Sequence, residues 1–317
     1  MRVVAVKHHG VDSAGFIGAA FEASGAEVAV HLLPDDGPLP ALDGVDHVLV
    51  LGAESSVNDP DPWIVQEQAW LRTADEAGVP VLGICFGAQV ICAAFGGKVE
   101  AMARKEIGWR LVDSWDHQLV PVGPWLEFHG DRCRPPAAAT VLAHNDAGVQ
   151  AFRLGRHLAV QFHPEVDGPL LKRWLDAGGD KDAEQVGLDP GQFLAQTIRE
   201  EPGARARAGR LVAAALRLAG QQRAEQALLS ADARPLVHGG HGRLHDRERA
   251  LAPVAERLAA AHHQGPAGPH HLAGQHEPAP GRRREQVDRV GGGQHGRFRR
   301  HDGVGRVPAR AVQDRGD

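Results

Sequence analysis

The stretch from Pro80 to Gln89, PVLGICFGAQ, constrains this chain more than any other. Apolar Val81, Leu82 and Ile84 lead into Cys85, which has a glycine two residues away on each side, Gly83 and Gly87. Beyond them Gln89, Val90, Ile91, Ala93 and Ala94 read as a helix. An apolar run, small residues at a tight turn and then a helix is the sequence form of a nucleophile elbow; here sulfur stands where G-x-S-x-G carries oxygen. A sharp strand-to-helix turn leaves no room for Cβ atoms beside the nucleophile, which accounts for the glycines. A cysteine at a helix N-terminus faces free backbone N–H groups and the positive end of the dipole, conditions that favour thiolate. An unpaired cysteine is equally a good small core residue. Taken alone, the stretch leaves both readings of Cys85 open.

A second stretch decides between them. In Gln161-Phe162-His163-Pro164-Glu165-Val166, residues two apart on an extended backbone share a side, so His163 and Glu165 are neighbours. Pro164 fixes its own φ and biases His163 toward extended geometry. A carboxylate beside an imidazole selects its tautomer and stabilises the imidazolium, and a histidine so held is a good base for a thiol. Without a nucleophile this would read as a His-Glu pair at a strand end. With the elbow present, it reads as a triad of Cys85, His163 and Glu165.

Around these motifs the first half alternates strand and helix. Strands are expected over Arg2–Val6, Glu27–Leu33, Asp46–Leu51 and the elbow run. Between them, a helix capped by Asp12 or Ser13 carries Phe16, Ile17, Ala20 and Phe21, and a helix from Pro62 carries Val65, Trp70, Leu71 and Ala74 on one face. This alternation predicts an α/β fold with a parallel, doubly covered sheet. From Lys98 onward come short strands at Trp109–Val112, Trp125–His129, Thr140–Ala143, Gln150–Phe152 and His157–Phe162, which add antiparallel pieces. Helices are expected over Gly168–Ala177, Gln192–Glu200 and Arg205–Leu218. Cys92, seven residues past Cys85, reads as part of a packing face.

G-x-C-x-G-x-Q together with Q-F-H-P-E resembles the class I, triad-type glutamine amidotransferases. Within that family it is similar to the glutaminase domain of GMP synthase. Supporting pieces are Ser56-Val57-Asn58-Asp59, Glu106-Ile107-Gly108-Trp109 and His129-Gly130-Asp131. The resemblance spans residues 1–218. It implies a flavodoxin-like or Rossmann-like fold and hydrolysis of the glutamine side-chain amide through a γ-glutamyl thioester, with no cofactor and no metal. Cys85 then corresponds to the nucleophile, His163 to the base and acid, and Glu165 to the group that orients His163. The amide of Phe86, followed by Gly87, corresponds to one oxyanion donor. The other normally comes from a G-G-P-x-S loop, and here Gly52, Ala53 and Glu54 stand at its first three positions, ahead of Ser56. A backbone donor survives Gly→Ala only where φ need not be positive. Gln89, His129, Gly130 and Asp131 correspond to the glutamine pocket. No ammonia-consuming ATP-pyrophosphatase domain is recognisable, so the resemblance implies a separate synthase partner or a product released directly. The alternatives are a γ-glutamyl amide or peptide hydrolase with the same triad, and a catalytically silent regulatory or binding subunit.

Composition bounds the rest. All six tryptophans lie at or before Trp174 and eight of nine phenylalanines at or before Phe193. After about Gly220 Arg, Gly, Pro, His and Ala dominate and lysine vanishes. Residues 219–317 therefore read as a low-complexity, disordered tail, with the composition expected of a GC-rich coding region translated out of frame. The pairs His262-His263 and His270-His271 have no carboxylate or cysteine at ligand spacing, so no metal site is expected there. Three cysteines without a C-x-x-C pair suit a reducing cytosol. A net charge of -5 and the lack of a long apolar run argue against nucleic-acid and membrane partners, and the expected setting is cytoplasmic.

Overall fold

The computed structural model describes residues 1–232. In chain order these form β1 (Arg2–Lys7), α1 (Gly15–Ala23), β2 (Glu27–Leu32), β3 (His47–Val50), α2 (Pro62–Glu76), β4 (Val81–Ile84) and α3 (Phe86–Ala94). Then follow β5 (Lys98–Leu111), β6 (Asp113–Ser114), β7 (Pro124–Arg134), β8 (Thr140–Asn145), β9 (Gly148–Leu154), β10 (His157–Val160), α4 (Gly168–Trp174), α5 (Asp180–Gln185) and α6 (Pro190–Asp232).

Eight strands make one sheet in the order β2-β1-β3-β4-β10-β9-β8-β6. The five from β2 to β10 are parallel, and β9, β8 and β6 extend the sheet antiparallel. β5 and β7 form a separate antiparallel ribbon. The mostly parallel sheet with antiparallel additions is the expected one, and its parallel part has the flavodoxin-like order.

Strand alternation places a core on each face. Val3 and Ala5 of β1 pack with Phe16, Ile17 and Phe21 of α1 and with Leu211 and Ala215 of α6. Val4 and Val6 point the other way, into the cluster holding Ile64 and Leu71 of α2 and Val90 and Ile91 of α3. In such sheets ligands bind beyond the carboxyl ends of the parallel strands. His8 follows β1, Gly52 lies just past β3, Cys85 follows β4 and His163 lies just past β10, so four strand ends deliver the residues that matter.

Several local expectations are corrected. Of the two capping candidates Ser13 is the one used, its Oγ accepting the N–H of Gly15 at 3.2 Å, whereas the Asp12 carboxylate accepts from Trp174 and the Phe16 N–H donates to the backbone carbonyl of Glu165 at 3.0 Å. On α2 the inward face is Ile64, Glu67, Leu71 and Ala74, while Val65 is exposed, because the stripe starts one residue earlier than the apolar count suggested. β5 begins at Lys98 rather than Trp109, its polar first half paired with β7 across an irregularity between Ala101 and Glu106. The helix expected to run to Ala177 leaves α geometry after Trp174 and passes through a π turn, Leu175–Gly179, into α5. The two last predicted helices are one. Pro202 disfavours helix at the residue before it, yet α6 runs through it, and the apolar face of Ala204, Ala208, Leu211, Val212 and Ala215 supplies the burial that holds it. The boundary expected at Leu218 therefore falls inside α6. From residue 233 the expected tail lies outside the described residues. Among those described, no helix is long and apolar enough to cross a membrane.

Candidate active site

Cys85 sits at the turn between β4 and α3 with φ 52° and ψ -106°, and it is the only non-glycine residue described with positive φ. Such a conformation costs on the order of 1–3 kcal/mol and persists only where its surroundings fix it. They do: the Cys85 N–H donates to the Val160 carbonyl at 2.8 Å, and its carbonyl accepts from the Gln89 N–H at 3.0 Å. A Cβ on Gly83 would stand 2.5 Å from the Gly87 carbonyl oxygen, and one on Gly87 would overlap the Val50 carbonyl. The elbow glycines are there for close approach, as the sequence implied.

His163 Nδ1 lies 2.8 Å from Glu165 Oε1, and both side chains are buried. The His163 backbone N–H donates to the Leu126 carbonyl at 2.8 Å, and the Trp174 ring meets the imidazole edge-on at 4.9 Å. With Nδ1–H given to Glu165, Nε2 is left buried without a hydrogen-bond partner. Burial works against the imidazolium, but the opposed charges of Glu165 and the Cys85 sulfur outweigh it, so the His163 pKa is raised well above its ordinary value.

The loop after β3 closes over this pair. A Cβ on Gly52 would fall 3.1 Å from His163 Cε1 and 3.8 Å from Cys85 Cβ. Neither Gly52 nor Ala53 has positive φ, so alanine at the second position of the loop carries no backbone penalty.

A cavity of about 490 Å³ opens beside the sulfur. Cys85, His163, Gly52, Ala53, Gln89, His129, Gly130 and Asp131 all line it. Three other expected residues do not. Glu165 stands behind His163, Gly87 packs on Val50, and the Phe86 ring turns away toward His8 and Trp63. For Phe86 the expected role is a backbone one, which the ring's direction leaves unaffected.

The far wall is held by a polar network. The Asp131 carbonyl accepts from His129 Nδ1 at 2.9 Å and from Gln89 Nε2 at 3.4 Å, while its carboxylate accepts from Ser56 Oγ at 2.6 Å. His129 Nε2 faces Glu106 Oε2 at 3.0 Å and Glu127 Oε2 at 3.2 Å. Both ring nitrogens thus point at acceptors. Burial lowers the His129 pKa, but the two glutamates raise it more, to about 10. Burial likewise pushes the Glu127 carboxyl up. The ligand atoms of Glu106, Glu127 and His129 lie within 4.8 Å of one another, close enough for a metal.

Some site residues were not singled out from sequence. Gln161 Nε2 approaches Cys85 Sγ at 3.6 Å and was visible only as the first letter of its motif. Asp12 lines the cavity and accepts from Trp174 Nε1 at 2.9 Å, with burial raising its pKa. Lys105, paired with Asp182 at 2.6 Å, stands at the rim. No local signal marks these, since they arrive from separate elements.

Residues 16–173 match the family described as Glutamine amidotransferase class-I. Residues 16–173 belong to that family. The chain is 31% identical over 194 residues to the GMP synthase [glutamine-hydrolyzing] of Thermus thermophilus, a match covering 56% of this chain and 36% of that one. It is 32% identical over 151 residues to the enzyme of that name from Thermomicrobium roseum, covering 44% and 28%. The chain thus spans about a third of the length of these relatives. In fold it is similar to a glutamine amidotransferase from Thermotoga maritima, with TM-score 0.63, 24% identity and coverage of 69% of this chain and 98% of that one.

Proposed function

We propose that this domain hydrolyses the side-chain amide of glutamine through a Cys85 thioester and delivers the ammonia to a separate acceptor. The observation that carries the reading is one cavity lined by Cys85 at a strained elbow and by His163 already paired with Glu165. The Cys85 thiolate attacks the carboxamide carbon, and the oxyanion that forms is met by the backbone N–H groups of Phe86 and Ala53. His163, protonated in the resting site, gives the Nε2 proton to the departing nitrogen, and ammonia leaves. The same nitrogen then takes a proton from water as it attacks the thioester, releasing glutamate and restoring the Cys85 thiolate beside protonated His163. Glu165 holds the ring so that Nε2 faces the sulfur.

Gln89, the His129-Gly130-Asp131 segment of β7 and Ser56 shape the pocket for the amino-acid end of the substrate. Ala53 does not favour the silent-subunit reading, because its backbone lies outside the left-handed region. The similarity to glutamine-hydrolysing GMP synthases supports ammonia transfer to a synthase partner. The test is ammonia release from glutamine by the full chain, alone and with candidate synthases. A rate raised by one partner supports transfer, and no release under any condition rejects the glutaminase.

A further inference from the structure

Outside the triad and the His129 network, a further buried His–carboxylate pair stands directly behind the loop that carries Ala53. His8, at the end of β1, has Nδ1 3.0 Å from the Gly52 carbonyl oxygen and Nε2 3.0 Å from Glu67 Oε2. Glu67 belongs to α2 and has no exposed side-chain surface, and that of His8 is 3% exposed. The Trp63 and Phe86 rings fix the imidazole plane at centroid distances of 5.2 and 4.8 Å. A carboxylate buried to this degree is costly in a helix unless it has a task or a partner.

We propose that the Glu67–His8 pair is a positioning device for the second oxyanion donor, acting on the reaction through the Gly52–Ala53 peptide. This rests on the glutaminase reading above. The Gly52 oxygen is an acceptor, so Nδ1 must carry a hydrogen and donate to it. The Nε2–Glu67 contact shares a further proton, whichever group holds it. The Gly52–Ala53 peptide is trans, so its N–H points away from its C=O. Pinning the carbonyl onto His8 therefore turns the Ala53 N–H to the opposite side of the peptide plane. Among the described residues that N–H has no protein acceptor, and both Gly52 and Ala53 line the cavity beside Cys85. Donation from a charge-assisted ring also polarises the amide, which makes its N–H a stronger donor. His163 is held by Glu165 to move protons, and His8 is held by Glu67 to aim a peptide.

The test compares His8→Gln, His8→Asn and Glu67→Gln with the unaltered full chain. Three readouts are needed: kcat and KM for glutamine, the rate of Cys85 alkylation by iodoacetamide, and the melting temperature. Asn places an amide nitrogen where Nδ1 stands, whereas Gln reaches toward Glu67 and leaves Gly52 without its donor. His8→Gln should lower kcat on the order of a hundredfold with KM little changed. His8→Asn should recover most of that loss. Glu67→Gln, which keeps the shape and removes the charge, should lower kcat about fivefold. Alkylation should proceed at the original rate in all three, because displacement at a saturated carbon builds no oxyanion. The proposal is overturned if His8→Gln folds and keeps its kcat, if His8→Asn is as impaired as His8→Gln, or if alkylation slows in step with hydrolysis. Should His8→Gln not fold, an unchanged kcat in Glu67→Gln overturns it. An unaltered chain that does not hydrolyse glutamine overturns the glutaminase reading and this one together, whereas an active chain indifferent to His8 overturns this one alone.

Discussion

Gly15 lies against the backbone carbonyl of Glu165 with no room for a side chain between them. Its φ is +43°, and a Cβ there would overlap that carbonyl oxygen, which also accepts the Phe16 N–H. The first turn of α1 is thus docked on the residue that orients His163. Gly15→Ala should destabilise the fold by about 1–3 kcal/mol through the left-handed backbone alone. Glutaminase activity should fall further, on the order of a hundredfold, because the clash moves Glu165. Gly10→Ala is the control, since its Cβ would meet nothing within 4 Å. Urea unfolding and turnover of the two variants measure both effects, and equal behaviour would remove the contact from the account.

Glu165→Gln should leave a folded protein with weak turnover. The ring loses its charged orienter and the tautomer it selects, a change that costs about 10⁴-fold in the serine-protease triad. His163→Ala removes the proton carrier itself and should be lower still. Steady-state rates rank the variants. A Glu165→Gln protein as inactive as His163→Ala would give the carboxylate a larger part than orientation.

The His129 network predicts how stability depends on pH. In the folded state its pKa is raised to about 10, above the ordinary value near 6.5. A histidine so raised contributes its full stabilisation below about pH 6.5 and loses it as pH climbs toward 10. The facing Glu127, raised by burial, acts in the same direction from lower pH, and Glu106 is the other charge on the ring. The raised His8 and His163 also act in that direction and remain in a His129→Gln variant. Urea midpoints at pH 6, 8 and 10 should therefore fall more steeply for the unaltered chain than for His129→Gln. Parallel curves would place the His129 proton elsewhere.

We propose that the domain needs nothing past α6. A chain ending at residue 232 should match the full chain in melting temperature and glutamine turnover. The physical ground is where the apolar mass lies, with every tryptophan and eight of nine phenylalanines before that point. Ordering a residue costs roughly 1–2 kcal/mol in backbone entropy, which a segment poor in apolar side chains cannot offset. A large loss of melting temperature on truncation would contradict this, and with it the out-of-frame origin read from composition.

The elbow and the His-Pro-Glu turn were legible because each is local: glycine spacing forces one, and strand alternation with proline forces the other. The parallel sheet was legible from the same alternation. What sequence did not give was contact between distant elements. Gly15 meets Glu165, Glu67 meets His8 and Trp174 meets Asp12 across 59 residues or more, and no short pattern marks such pairs. Glu67 in particular counts as a surface residue in any apolar tally of α2, which is why the stripe was assigned to Val65 instead of Ile64. The break expected between Glu200 and Arg205 is absent for the opposite reason: α6 runs through the local breaker Pro202, which tertiary packing overrules.

The most direct measurement is ammonia released from glutamine by the unaltered chain and by Cys85→Ser, under identical conditions. Oxygen replaces sulfur nearly isosterically, so the variant should fold alike. The account predicts turnover by the unaltered protein, with stoichiometric glutamate, and none above background in Cys85→Ser. Equal ammonia release by the two proteins would contradict it.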